Sequence, residues 1–131
     1  MQRDLLLFHG SIAKRDLIVS EFFDSLPEPF DLVTFNPPYI KSEVGEAHDL
    51  PERRRTQWDG GPDGLEVTRG FLKALAERPH PARFCLALNS VHADMEVARA
   101  DIRNTPGIEL EAEYIHPIFP INVFTGHNQA S

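Results

Sequence analysis

Cysteine is nearly missing from this chain of 131 residues, with Cys85 the only one. A lone thiol excludes an internal disulfide and fits a reducing compartment. Basic residues are also scarce: 13 Lys and Arg stand against 20 Asp and Glu, a formal net charge of -7. Such a chain lacks the cationic surplus that grips a phosphate backbone, so a protein or small-molecule partner is favoured over nucleic acid. No apolar run approaches the ~20 residues of a membrane span, and no basic-then-apolar leader follows Met1. The expected location is the cytoplasm, or the nucleus, with no membrane partner. The six histidines show no metal-ligand spacing, no Gly-x-Gly occurs, and there is no internal repeat.

What is present suits one modest α/β domain, since 41% of the residues are hydrophobic. Residues 4–8 form a continuous apolar run and read as a buried strand. Such a strand at the chain's start suggests that further strands precede Met1, and its apolar edge would favour self-association or a partner. Leu17, Ile18, Phe22 and Phe23 suggest a short helix over 15–25, ended by Pro27 and Pro29. Residues 32–35 read as a second strand, 41–59 as a long polar loop, 65–77 as an amphipathic helix, 84–88 as a strand and 91–104 as another helix. Two late strands are expected over 108–116 and 118–124, the second broken by Pro120, with a polar tail from 125 to 131. This order predicts a mainly parallel sheet with an antiparallel edge strand, the domain occupying 1–124. Phe22, Phe23, Phe71 and Phe84 read as core, Cys85 as a small buried hydrophobe, and Arg53, Arg54 and Arg55 as a solvated loop face.

The chemistry concentrates at the end of the second strand. There the sequence reads Asp31-Leu-Val-Thr-Phe-Asn36-Pro37-Pro38-Tyr39-Ile40. Pro37 keeps Asn36 out of the helical region, and the two prolines supply carbonyl acceptors without N–H donors. An amide, bare carbonyls and an aromatic ring are thus placed at the strand end, where open α/β sheets bind ligands. Further on, Gln57-Trp58-Asp-Gly60-Gly61-Pro-Asp63-Gly64 is a glycine-rich turn leading into a helix.

The first stretch resembles the motif after the fourth strand of S-adenosylmethionine-dependent methyltransferases that modify planar amide or amino nitrogens. The second resembles a signature of their HemK-like branch, which methylates a glutamine of peptide-chain release factors. Both occur in the family's order and at about its spacing; an Asn-Pro-Pro-Tyr string alone arises by chance in roughly one such chain in a few thousand. The resemblance implies a Rossmann-like methyltransferase sheet, S-adenosyl-L-methionine as cofactor, and a release-factor-like protein substrate, with an activator subunit required by some members. It implies that the Asn36 side chain and the Pro37 carbonyl accept the two N–H bonds of the target amide while Tyr39 stacks on its plane. Pro38, Trp58, Gly60 and Gly61 would shape the substrate site, and Ser11 and Asn36 would touch the cofactor.

The sequence also departs from the family. The glycine-rich cofactor loop and the ribose-binding acid are missing, and Ser11, which lacks a carboxylate's charge, stands near where the family commonly has Asp. The chain therefore reads as the acceptor half of such an enzyme, without the first strands and most of the cofactor site. Two other readings stay open: an N6-adenine nucleic-acid methyltransferase, because the same acceptors fit an exocyclic amine, and a methyltransferase-like module that binds without catalysis. For Trp58 and the glycines the simpler roles are a plug at the core edge and plain turn geometry.

Overall fold

The strand at the centre of the packing is Arg83–Asn89, in which Phe84, Leu86 and Leu88 alternate with Arg83, Cys85 and Ala87. Because strand side chains alternate between faces, this pattern puts three large apolar groups on one side. All three are almost fully buried. The computed structural model describes residues 3–8, 15–20, 22–24 and 29–129, the first two segments as backbone only.

In chain order the elements are β1 (Arg3–Phe8), β2 (Arg15–Ser20), β3 (Leu32–Phe35), α1 (Ser42–Ala47), a 3-10 turn at Glu52–Arg54, α2 (Arg55–Trp58), α3 (Glu66–Ala76), β4 (Arg83–Asn89), α4 (Met95–Asn104), β5 (Ile108–Ile115) and β6 (Ile121–Asn128). The main sheet has the order β3-β4-β6-β5. β3 pairs parallel with β4, while β6 pairs antiparallel with both β4 and β5. It follows that β3, β4 and β5 share one direction, with β6 reversed between β4 and β5.

The domain is therefore α/β with an open mixed sheet, but only one of its three strand pairings is parallel, against the mainly parallel sheet expected, because the reversed strand is internal and not at the edge. Composition accounts for the exchange. β5 carries Glu109, Glu111 and Glu113 and has a register shift between Leu110 and Ala112, and both charge and a bulge suit an outer strand. β6 instead buries Asn122, Phe124 and Asn128. It also runs through Asn128, so the polar stretch from Thr125 is mostly strand rather than tail.

The segment expected to be a helix over 15–25 is another difference. Its first part, Leu17-Ile-Val among them, is the strand β2, which pairs antiparallel with β1 in a separate two-stranded sheet. Consecutive β-branched residues favour the extended chain. Phe22, at φ 51°, then turns the chain, and Phe23 enters the core against Phe30 and Phe71. The polar stretch 41–59, read as a loop, contains α1, the 3-10 turn and α2. These turns are held by ion pairs and one indole, which leave no apolar period to read.

α3 buries Phe71, Leu72 and Leu75, and α4 buries Ala98 and Ile102, against the face of Phe84, Leu86, Leu88 and Phe124. The other face carries half-buried residues, Cys85, Ala87, Val123 and Thr125 among them, so Cys85 is not a core residue. Among the described residues no helix is long and apolar enough to cross a membrane.

Asn128 shows how the late strand locks the layers. Its Nδ2 donates to the carbonyls of Leu75 and His80, both at 3.0 Å, and its Oδ1 accepts from the Ala82 N–H at 2.9 Å. Truncation would strand three backbone groups, and unpaired buried polar groups cost about 1–3 kcal/mol each. Asn128→Ala should lower urea-measured stability by roughly 2–4 kcal/mol, whereas Gln129→Ala at the exposed neighbouring position should change it by less than ~0.5 kcal/mol.

Candidate functional site

Parallel pairing of β3 and β4 brings their C-terminal ends to the same side of the sheet. β3 stops at Phe35, and Asn36 follows, exposed at the mouth, while Pro37 and Pro38 are buried. No described residue donates a hydrogen bond to the Asn36 side chain or to the Pro37 carbonyl. Among the described residues, two acceptors next to each other in the chain thus have no donor at the strand end.

Beyond them the chain is clasped by the glycine-rich turn. Ile40 and Asp59 form a parallel bridge. Ile40 N–H donates to the Trp58 carbonyl at 3.0 Å, Gly60 N–H to the Ile40 carbonyl at 2.8 Å, and Ser42 N–H to the Gly61 carbonyl at 3.0 Å. The two motifs, some twenty residues apart in the chain, are one hydrogen-bonded unit. Gly60 is needed for this approach, since a Cβ there would lie 2.7 Å from the Gly64 carbonyl oxygen and 2.8 Å from that of Pro38. Gly61 has φ 85°, a left-handed conformation that suits glycine.

Asp59 fastens the clasp. Its Oδ1 accepts from Ser42 Oγ at 2.6 Å and from the Gly61 N–H at 2.9 Å, and its Oδ2 accepts from Arg55 Nε at 2.7 Å. Partial burial opposes ionisation, but the hydrogen bonds from Ser42, Gly61 and Arg55 together outweigh it and hold the carboxyl below the usual range. Arg55 also pairs with Glu46 and Glu52. Hydrogen bonds to Glu46, Asp59 and Glu52 hold its guanidinium more firmly protonated than usual. Arg55 is thus an anchor and not part of a solvated face, while Arg53 and Arg54 are exposed as expected.

Trp58 lies beneath this network. It is 8% exposed, donates Nε1–H to the Pro51 carbonyl at 3.0 Å, and its ring presses on the backbone of Gly45. The Arg55 guanidinium sits over the ring, 5.1 Å from the centroid. The indole so placed pins the 42–58 segment. Further along, Asp63 accepts from the Leu65 N–H at 3.0 Å and pairs with Arg69, which also reaches Asp101 on α4. The Arg69 hydrogen bonds lower the Asp63 pKa against the effect of burial.

Tyr39 is half-buried, its ring 5.4 Å from that of His92 and inclined by 32°. His92 belongs to the segment after β4, where a cleft of about 480 Å³ is lined by residues that include Lys41, Ser90 and Glu96. The fold thus gathers Asn36, Pro37, Pro38, Tyr39, Gly60 and Gly61, keeps Trp58 as a support, and adds Asp59, Ser42, Arg55 and His92. For Arg55 and Asp59 the one local signal is their i,i+4 spacing, which a stretch read as a loop gives no reason to weigh. Ser42 and His92 carried no local signal. Ser11 lies outside the described residues.

No family model matches this chain, and comparison with curated proteins finds no match either.

The depressed Asp59 pKa has a pH signature. A carboxyl depressed on folding adds stability above its unfolded pKa of ~3.9 and loses it as pH falls through the folded value. The stability gap between wild type and Asp59→Asn should therefore be widest near neutrality and shrink below about pH 4, as read by denaturant titrations across that range.

Proposed function

We propose that this chain binds and orients a planar amide nitrogen for N-methylation, most closely a glutamine side chain of a protein substrate. The observation that carries the reading is the pair of acceptors to which no described residue donates, the exposed Asn36 side chain and the Pro37 carbonyl, next to Tyr39 at the C-terminal end of β3. The resemblance of both motifs to the HemK-like methyltransferases adds the donor, S-adenosyl-L-methionine, which supplies an electrophilic methyl group when bound. The described residues fit the acceptor side of that reaction. They hold no glycine-lined cradle or ribose-binding carboxylate at the mouth, so they do not by themselves fit the donor, and the chemistry below concerns the acceptor alone.

An amide nitrogen is a weak nucleophile because its lone pair is delocalised into the carbonyl. Two acceptors aimed at its N–H bonds draw density toward nitrogen and fix the direction in which the lone pair points, without removing a proton first. Asn36 Oδ1 and the Pro37 carbonyl are suited to this by chemistry and by adjacency in the chain, and both can accept charge-assisted hydrogen bonds as positive charge grows on nitrogen. Tyr39, steadied by His92, offers a flat face that restrains rotation of the target plane. Proline at both positions following Asn36 stiffens the turn, so little ordering remains to be done on binding. Orientation of this kind contributes up to roughly 7–11 kcal/mol in favourable cases. The clasp through Asp59 and Gly60 keeps the turn in place when the substrate arrives.

The test is methyl transfer from S-adenosyl-L-methionine to a glutamine peptide, followed by mass spectrometry. Asn36→Ala should reduce transfer at least ~100-fold, the loss seen when one preorganised polar group is removed from a reacting centre. Thr34→Ala, at an exposed position of the same strand, should leave it within about twofold. Transfer that survives Asn36→Ala, or a glutamine peptide that leaves the Asn36 and Tyr39 NMR signals of the wild-type chain unmoved, would overturn the reading.

A further inference from the structure

Next to Tyr39 and His92 the mouth of the sheet widens into the 480 Å³ cleft, which the acceptor turn does not fill. Val91 and the start of α4 form part of its wall. Asp94 is committed to capping that helix, its Oδ1 accepting from the N–H groups of Glu96 and Val97. Glu96 is exposed and close enough to Arg99 to favour its charge, and the exposed Lys41 lines the same cleft. Ser90, on the same wall, donates its N–H to the Pro120 carbonyl at 2.9 Å. That bond joins the cleft to the turn between β5 and β6.

The turn is firmly built. His116 Nδ1 accepts from the N–H groups of Ile118 and Phe119 at 3.1 and 2.9 Å, which puts the ring proton on Nε2. The His116 N–H donates to the Ile121 carbonyl at 2.9 Å, and Pro117 and Pro120 restrict the chain on either side. This turn holds Ile118 and Phe119 outward, 81% and 59% exposed, while Val91 on the cleft wall is 72% exposed. A preformed turn that displays large apolar groups to solvent is better suited to contact than to packing within the chain.

We infer that the cleft and the β5–β6 turn together form a docking track for a basic polypeptide segment, the part of a protein substrate that flanks the target amide. The inference rests on the amide reading above. Charge selects the occupant: Asp94 and Glu96 outnumber Lys41 along the cleft, and together with the net charge of -7 they favour Lys or Arg and disfavour a phosphate backbone. Val91, Ile118 and Phe119 offer seats for apolar side chains, and the turn's rigidity keeps the ordering cost low. The patch, on the order of a few hundred Å², falls short of the ~800 Å² per partner typical of stable interfaces, so a transient substrate suits it better than a second copy of the chain.

The experiment is an NMR titration of the isotopically labelled chain with a synthetic peptide carrying one glutamine flanked by lysine and leucine. Comparison ligands are the same peptide with glutamate for lysine, with norleucine for glutamine, and oligothymidylate. The lysine peptide should move the backbone signals of Val91, Glu96, Ile118 and Phe119 together with those of Asn36 and Tyr39. Its affinity should fall at least about fivefold in the Ile118→Ser/Phe119→Ser double variant, whose exposed positions leave the fold intact by circular dichroism. The norleucine peptide should still move the cleft and turn signals but not those of Asn36. Unmoved cleft and turn signals, wild-type affinity in the double variant, or preferential binding there of oligothymidylate or the glutamate peptide would overturn the track. If Asn36 and Tyr39 respond while the track does not, the track fails and the amide reading stands; the reverse result removes the amide reading and keeps a docking surface.

Discussion

A single carboxylate joins the two stretches on which the site depends. Asp59 takes the Ser42 hydroxyl, the Gly61 N–H and the Arg55 guanidinium, while the backbone on either side of it pairs with Ile40. Without that clasp the residues after Asn36 would leave the sheet as an unsupported chain. With it, the turn is fixed between a strand below and a glycine-rich loop above. The stability involved is distributed, because the backbone bonds, the Arg55 network and the buried Trp58 hold the same segment from different sides.

The clasp also explains why so polar a segment is ordered. Residues 42–58 bury little apart from Gly45 and Trp58. Their helical turns are short and receive almost no propensity-driven stability, since helices below about 12 residues are marginal alone. Arg55 replaces the missing apolar stripe by tying Glu46, Glu52 and Asp59 to one guanidinium over the Trp58 ring. A partly shielded network of this kind is worth more than isolated surface pairs, whose contribution is small.

Local pattern made much of the fold legible. The alternation in β4 and the apolar stripes of α3 and α4 identify those elements because burial on one face imposes a period that sequence must follow. Where that constraint is absent the reading failed. The residues of β2 suit a helix as well as a strand, because a few apolar residues in a short window fit either period. The stretch from Thr125 reads as a tail because polar residues such as Asn128 look solvent-exposed, although Asn128 is buried with each of its amide groups paired.

The sequence by itself determined the acceptor turn. Two prolines after Asn36 dictate backbone geometry and remove donors wherever they occur, and Gly60, Gly61 and Gly64 mark a turn for the same local reason. Tertiary structure alone decided that these two motifs touch, that Trp58 packs against Gly45 and Pro51, and that β6 lies inside the sheet. It also decided that His92 meets Tyr39. Each of these is a contact between residues distant in the chain, chosen by the total burial and hydrogen bonding of the whole domain, and no local periodicity records such a choice.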